Sequence, residues 1–267
     1  MADALRPYRV LLGSRMRAQT AYRRSFAVEL VASVGATLIA LAEIYVIFSN
    51  VDAIGGIDFP AAVLLFALTH MSFSLADMVV GHLGNLPMYV RNGTLDAYLL
   101  RPLPVLAQLI TSDISLRRLG RTALAVVILV VVIPPNQVAW SAGKVVLMVL
   151  TVMSGTVIFA GLFVIGGAIQ FWLVEGTEFA AAVTYGGNYA AQYPASIYSS
   201  EVRILFTFVV PAAFVSYLPV VVLLDLPSPA GFPSWLGWFT PAAAAAVWGL
   251  ALTAWRTGLR HYAGTGS

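Results

Sequence analysis

Long apolar runs with almost no charge dominate this sequence and limit what it can fold into. Six such runs lie between charged residues or clusters of proline and glycine: Phe26 to Ser49, Phe59 to Gly81, Ala123 to Ile133, Val145 to Val174, Ile204 to Leu224 and Pro241 to Trp255. About 20 apolar residues in a helix cross a bilayer, and a chain in lipid must form helices or a closed barrel. Because the runs lack the alternating polarity of barrel strands, we predict an all-α membrane protein with six transmembrane helices.

The composition agrees with this class and restricts the domain organisation. Of the 267 residues, 60% are apolar and 10% are charged, whereas an average soluble domain is about 45–50% apolar and about 25% charged. Six spans leave room only for short connections, so we predict one transmembrane domain, 26–256, between a basic segment, 1–25, and a tail, 257–267. A secreted domain and a nucleic-acid binder are excluded on these grounds. The lack of cysteine in the sequence excludes disulfides and thiolate chemistry.

The distribution of basic residues predicts an orientation in the cell membrane. Apart from Lys144, all basic residues are arginines, and with both termini in the cytoplasm every arginine lies on the cytoplasmic side. This asymmetry follows the positive-inside rule. Before the first span, apolar residues recur at helical spacing among arginines, which indicates an amphipathic helix on the inner membrane surface. An irregular segment with topogenic arginines is the alternative.

The cytoplasmic connections are the longer ones, and their composition indicates that they contact a partner. They run from His82 to Gly120 and from Glu175 to Arg203, and both are too apolar to be solvated linkers. In the first, a turn at Gly93 leads into a short helix from Thr94, and Pro102 stops that helix. The side chains on its apolar face would be Leu95, Tyr98 and Leu99.

The outer connection from Asp225 to Thr240 combines prolines and glycines with large aromatic side chains, among them Trp235 and Trp238. Irregular backbone at membrane depth is tolerated only where protein or a water cavity covers it. A short re-entrant excursion that caps an outer exit is one interpretation of this segment. A plain interfacial loop with aromatic anchors is the other.

Motifs for nucleotide or metal chemistry are missing. No G-x-x-x-x-G-K-[ST] precedes Lys144, no H-E-x-x-H occurs, and the three histidines are scattered: His70, His82 and His261. A phosphate-binding loop and a catalytic zinc site both need such patterns. We therefore predict that this chain is not an enzyme and binds no cofactor or metal.

Four ionisable residues lie inside the apolar runs: Glu29, Glu43, His70 and Asp77. Each costs about 2.5–3.5 kcal/mol at a helix centre, so they should face the bundle interior or a water-filled cavity. At 100° per residue, the two glutamates lie within about 40° of each other around the helix axis, and His70 and Asp77 lie within about 20° of each other. The functional interpretation is a polar lining for cargo. The alternative is a set of structural ion pairs with arginines or with a neighbouring helix.

Two prolines interrupt the fifth apolar run, Pro211 and Pro219. Proline removes a helical hydrogen bond and kinks the helix, so we predict a kink at each. Kinked spans suit a helix that changes shape during gating, although proline is also common in static membrane helices.

Several motifs, taken in order, are specific to one family. They are Gly93-Thr94-Leu95-Asp96, Leu99-Leu100-Arg101-Pro102, Phe171-Trp172, Tyr193-Pro194, Pro211-Ala212-Ala213-Phe214 and Tyr217-Leu218-Pro219. With them the chain resembles the membrane subunits of ABC-2-type ATP-binding cassette exporters, and most closely a bacterial branch of small six-span permeases. The resemblance extends from the basic N-terminus to the last span.

The resemblance implies a mechanism and partners. Leu95 to Arg101 would be a coupling helix that sits in a groove of a separate ATPase, and the segment between spans five and six would be a re-entrant outer gate. Two permeases, either dissimilar paralogues or two copies of one chain, would face each other above two ATPase subunits that bind ATP and Mg²⁺. The cargo would be a small amphiphilic or drug-like compound that leaves the cell. The alternatives from other classes are a self-sufficient channel or ion-coupled transporter, and a membrane scaffold or immunity protein that moves nothing.

Overall fold

The computed structural model describes residues 23–115, 118–173, 176–227 and 231–262, and these residues are mainly helical. The predicted amphipathic N-terminal helix lies outside them. The helices are α1 (Arg23–Phe48), α2 (Phe59–Val80), α3 (Leu86–Arg91), α4 (Thr94–Leu99), α5 (Val105–Ser112), α6 (Leu119–Val132), α7 (Ala142–Ile169), α8 (Gly176–Ala191), α9 (Ser200–Ile204), α10 (Tyr217–Leu223) and α11 (Thr240–His261). A hairpin of two short antiparallel strands, β1 (Ala53–Ile54) and β2 (Ile57–Asp58), joins α1 to α2.

Four helical stretches within the described ranges are long and apolar enough to cross a membrane: Phe26–Phe48, Phe59–Arg91, Ala142–Ile169 and Ser234–His261. A fifth candidate is the bent pair Ser200–Val209 and Ala212–Leu223, and α6 is a shorter apolar helix. The prediction of a helical membrane protein is confirmed, with four candidate spans, or five if the bent pair is one span, in the described ranges. The third apolar run extends back to Leu119, where α6 begins.

Small residues on α7 allow its neighbours to pack closely around it. A Cβ added at Gly155 would lie 2.6 Å from Ser72 Oγ in α2, and one at Gly161 would lie 2.7 Å from Val247 Cγ1 in α11. Without a strong hydrophobic force between helices in lipid, such close approach of backbones is what holds them together. Most of α2 is buried as a result, whereas α1 is exposed along much of its length.

The bundle has two chemically different ends. The end that carries α3, α4 and the arginines Arg91, Arg101, Arg118, Arg121 and Arg256 is called the arginine end below. The opposite end, which carries Lys144, the β hairpin and the 3-10 helix Ser234–Phe239, is called the lysine end. Helices α2, α7 and α11 run from the lysine end to the arginine end, and α1 and α6 run the other way.

The predicted connection from Glu175 to Arg203 does not stay at one end, and this assignment is wrong. Helix α8 starts beside α7 at the arginine end, where a Cβ at Gly166 would touch Ala180. Thereafter Ser196 Oγ donates to the carbonyl of Gly55 in the hairpin, 2.7 Å away. Residue 196 therefore lies at the lysine end. Arg203, whose guanidinium donates to the carbonyl of Tyr198, lies there too and not at the arginine end.

The run from Ile204 to Leu224 consequently starts and ends at the lysine end. After it, Asp225 Oδ2 accepts a hydrogen bond from Lys144 Nζ over 2.6 Å. Between these points the chain forms a π-helical turn, Leu205–Val209, breaks at Pro211 and bends by 70°. We call residues 200–224 the bent segment. The predicted kink at Pro211 is confirmed and is larger than a simple proline kink.

The predicted kink at Pro219 is absent. Pro219 is the third residue of α10, which begins at Tyr217. The first turn of a helix has no intrahelical partner for its N–H groups, so proline is tolerated there. The interruption of this run is therefore confined to the residues between Val210 and Ser216.

Candidate functional site

Helix α4 projects from the arginine end on a sharply turned backbone. Gly93, at its N-cap, has φ +65°, a left-handed conformation that a side chain would strain. The helix begins at Thr94 and ends at Leu99, before Pro102. The short helix predicted from the sequence is thus present, and its entrance depends on the glycine.

The apolar side chains of α4 do not share one exposed face. Leu95 is fully buried against the core, and Tyr98 is half-buried. Leu99 and Leu100 instead point outward, with 43% and 87% of their surfaces exposed. Because Leu95 cannot reach a partner, the outward surface of α4 is formed by Ala97, Leu99, Leu100 and Arg101. We call these four residues the α4 surface.

Polar contacts fix the α4 surface to the rest of the molecule. The side-chain amide of Gln108 donates to the carbonyls of Tyr98, at 3.0 Å, and Leu103, at 2.9 Å. The Arg101 guanidinium lies 5.6 Å from the centre of the Tyr98 ring, within the range of a cation–π contact. The α4 surface is therefore a firmly held projection and not a free loop.

Asp96 connects α4 to the end of the last helix. The hydroxyl of Tyr262, just after α11, donates to Asp96 Oδ1 over 2.9 Å. Burial and this hydrogen bond raise the pKa of Tyr262 above its ordinary value, which already lies well above neutral pH. The two residues are 166 positions apart, and no sequence pattern indicates that they meet.

Asp77 is held in an ion-pair cluster next to the arginine end. It is 2% exposed, and its carboxylate lies 2.6 Å from Arg118 Nη1 and 3.4 Å from Arg121 Nη1. Arg118 also donates to the backbone carbonyl of Asp77, and the Ser115 N–H donates to that of Met78. These contacts join the end of α2 to the start of α6. They correspond to the structural alternative in the sequence analysis, with arginines from the inner connection as partners.

His70 does not join Asp77 in a common polar site. It is buried, and its ring stacks on Phe66 with 3.9 Å between the ring centres. Among the described residues, no group of three or more histidine, aspartate or glutamate side chains could hold a metal ion.

The two glutamates of α1 are exposed and each borders an opening. Glu29 lines a polar cleft of about 500 Å³ with His82, Arg118 and Arg121. Glu43 lines a groove of about 530 Å³ whose opposite wall is formed by Tyr189 and Tyr193. This side of α1 is exposed and has two ionisable side chains, so it is unsuited to contact with lipid tails.

Hydroxyl groups anchor the bent segment to α2, α8 and α11. The carbonyl of Ala191, the last residue of α8, accepts hydrogen bonds from Ser216 Oγ (2.6 Å) and from Thr69 Oγ1 of α2 (2.9 Å). The hydroxyl of Thr240, at the start of α11, is shared between the carbonyls of Gly237, at 2.8 Å, and Phe214, at 3.3 Å. These residues could not be predicted from the sequence, because a serine or threonine in an apolar run carries no signal of its own.

The two candidate tryptophans lie beside this anchor. Both are partly exposed, and the ring of Trp235 packs edge-on against Phe239 with 5.4 Å between centres. Between them, Gly237 packs against α10, where a Cβ would lie 2.5 Å from the carbonyl oxygen of Leu218. The 3-10 helix Ser234–Phe239 is thus seated on the bent segment.

Comparison with known proteins defines the class to which this arrangement belongs. The chain matches the family described as ABC-2 family transporter protein over residues 34–266. The match covers most of the chain, and the chain belongs to this family of membrane permeases of ABC transport systems, as the resemblance predicted. No curated protein and no solved structure matches the chain significantly.

Proposed function

We propose that this chain is the membrane-spanning subunit of an exporter driven by a separate ATPase. The observation that carries the proposal is the α4 surface, an exposed apolar projection held rigidly at the arginine end. The chain itself has no nucleotide-binding motif. In the proposed complex, two ATPase subunits bind ATP and Mg²⁺, and the chain contributes no catalysis of its own.

The contacts at the two ends support a definite path through the cell membrane. We propose that α1, α2, α6, α7, α8 and α11 cross the bilayer, with the arginine end in the cytoplasm. The bent segment is then a re-entrant excursion from the outer side, since residues 196 and 225 both contact the lysine end. The number of spans stays at six and the termini stay inside, but α8 replaces the run from Ile204 to Leu224 as the fifth span.

The exposed side of α1 supports a pathway shared with a second permease. Glu29 and Glu43 lie along it, and it is bordered by Tyr189 of α8 and by Tyr193, just after α8. We propose that a second permease, a paralogue or another copy of this chain, closes this side into a route for a small amphiphilic compound. The tryptophans and Pro211 would then belong to the outer gate.

Docking of the ATPase on the α4 surface is tested by a charge substitution. Leu100→Glu should reduce at least tenfold the amount of ATPase that co-purifies with the chain, because a carboxylate replaces the most exposed apolar contact. The measurement is affinity purification after co-expression with the partner ATP-binding cassette ATPase of the proposed complex.

The matched control is Leu173→Glu, since Leu173 is also exposed near the arginine end but lies outside α4. It should leave co-purification unchanged. Equal loss in both variants would contradict docking on α4. Uptake of cargo into ATP-free vesicles by the chain alone would favour the channel or ion-coupled alternative instead.

The pathway assignment makes a separate prediction about water access. In the assembled complex in lipid vesicles, Glu43→Cys should react with a water-soluble methanethiosulfonate reagent at least tenfold faster than Leu38→Cys. Both positions are exposed in the single chain, but Leu38 lies on the other side of α1. The chain has no native cysteine to interfere. Equal rates at the two positions would mean that the Glu43 side does not line an aqueous route.

A further inference from the structure

Helix α11 is attached at each end to an element that is remote in the sequence. At the arginine end, Tyr262 donates to Asp96 of α4. At the lysine end, the Thr240 hydroxyl is shared between the carbonyl of Gly237, at 2.8 Å, and that of Phe214 in the bent segment, at 3.3 Å. From Thr240 to His261, 22 residues form a continuous helix of about 33 Å. One helix therefore contacts both surfaces that the proposed function requires to move together.

The packing of α11 along α7 restrains it from bending between these contacts. A Cβ at Gly258 would lie 2.6 Å from Phe171 Cδ2 and 3.0 Å from the carbonyl oxygen of Ala168. The ring of Trp255 packs edge-on against Phe171 with 5.4 Å between centres. Interiors packed this closely transmit a displacement instead of absorbing it.

The Tyr262 contact is one hydrogen bond and the Thr240 hydroxyl is shared between two carbonyls, which suits parts that must separate and reform. A hydrogen bond of this kind contributes little net stability, so its loss should leave the bundle folded. The Tyr262 ring is also held by Phe171, 6.0 Å away between centres, so the phenol is already directed at Asp96. A change in the position of α4 would then reach α11 through the side chain of Tyr262.

We propose that α11 is a strut that couples α4 to the bent segment, with Tyr262 and Thr240 as its positioning residues. Movement of α4 shifts α11 along α7, and α11 shifts the bent segment through Phe214. The role of this strut in export rests on the proposed function. The mechanical link between the two ends does not, and it can be measured on the chain alone.

The test uses a cysteine placed in the bent segment as a reporter. Thr207 is fully buried, and its hydroxyl has no hydrogen-bond partner among the described residues. The native sequence has no cysteine, so a cysteine placed at this position is the only thiol in the chain. In purified Thr207→Cys protein in lipid vesicles, the rate of reaction with N-ethylmaleimide reports how often this segment moves. Adding Tyr262→Phe should raise that rate at least threefold, although the substitution lies at the opposite end.

A control and a double variant make the result specific. Thr257→Val removes a hydroxyl from the exposed side of α11 whose bond stays within the helix, and it should leave the rate unchanged. Thr240→Val should raise the rate as Tyr262→Phe does, and the two together should raise it no further than Thr240→Val alone. A labelling rate in the double variant that equals the rate in Thr240→Val would show that both substitutions act through one route, because the effects of independent sites on the rate would multiply.

Two outcomes would overturn the proposal. One is an unchanged labelling rate in Tyr262→Phe, which would confine its effect to the arginine end. The other is multiplication of the two effects in the double variant. Failure of an ATPase to bind the chain would contradict the proposed function but would leave the labelling result intact, so the two failures are distinguishable.

Discussion

Replacing Arg118 by leucine should lower the free energy of unfolding by about 3 kcal/mol. The substitution leaves the almost fully buried carboxylate of Asp77 with Arg121 alone, at 3.4 Å. Removing one partner of a buried ion pair costs about 3–5 kcal/mol, because the remaining charge stays out of water. We take the lower end of this range, since the Arg118 side chain is 27% exposed and Arg121 remains. Thermal unfolding of the purified chain in detergent measures the change.

Two further variants distinguish the effect of leaving a buried charge unpaired from the effect of losing a surface charge. Arg256→Leu removes an exposed arginine at the same end and should change stability by less than about 0.5 kcal/mol. Adding Asp77→Asn to Arg118→Leu should restore a large part of the loss, because the unpaired charge is gone. No restoration would show that Arg118 acts through packing and not through its charge.

Gly237→Ala should destabilise the lysine end by about 2 kcal/mol. The added methyl group would lie 2.5 Å from the carbonyl oxygen of Leu218 and 2.8 Å from Val222 Cγ2. The first of these atoms belongs to the backbone of α10 and cannot move aside by a side-chain rotation. The 3-10 helix Ser234–Phe239 must therefore lift away from the bent segment, and the unfolding temperature in detergent should fall.

Gly249→Ala is the matched control for this prediction. Gly249 lies in the interior of α11, and nothing lies within 4 Å of the Cβ position there. Alanine is favoured over glycine inside a helix by about 1 kcal/mol, so this variant should be slightly more stable. The two glycine-to-alanine changes thus have opposite expected signs. A fall of equal size in both would contradict the close packing of Gly237.

The helices that can be predicted from the sequence are those that contact lipid or are strongly apolar. Helix α8 was missed because its glycines, threonines, tyrosines and asparagine interrupt the apolar run that marks a span. Within the helix, Thr184 Oγ1 donates to the carbonyl of Ala180, 2.8 Å away, and Gly187 packs against Val210. Hydropathy alone misses a helix whose hydroxyls bond to its own backbone and whose small residues pack against neighbouring elements.

The candidate site could be predicted only where it is local in sequence. The turn at Gly93 and the helix after it follow from neighbouring residues. The outward direction of Leu100, and the burial of Leu95, depend on how the whole connection packs. Contacts such as Asp77 with Arg118 or Asp96 with Tyr262 join residues that lie 41 and 166 positions apart. Such pairs follow from the tertiary fold and have no local pattern.

The bent segment enters and leaves the bundle at the same end, and in the proposed membrane path this has an electrical consequence. A transmembrane potential affects a conformational change only if that change moves charge through the membrane field. Moving one elementary charge across the whole membrane changes the free energy by about 2.3 kcal/mol per 100 mV. The charged residues at its two ends, Glu201 and Arg203 within it and Asp225 just after it, stay on one side however far the apolar turn between them is displaced. Opening and closing of this segment is therefore insensitive to voltage, and an energised membrane neither holds it shut nor pulls it open.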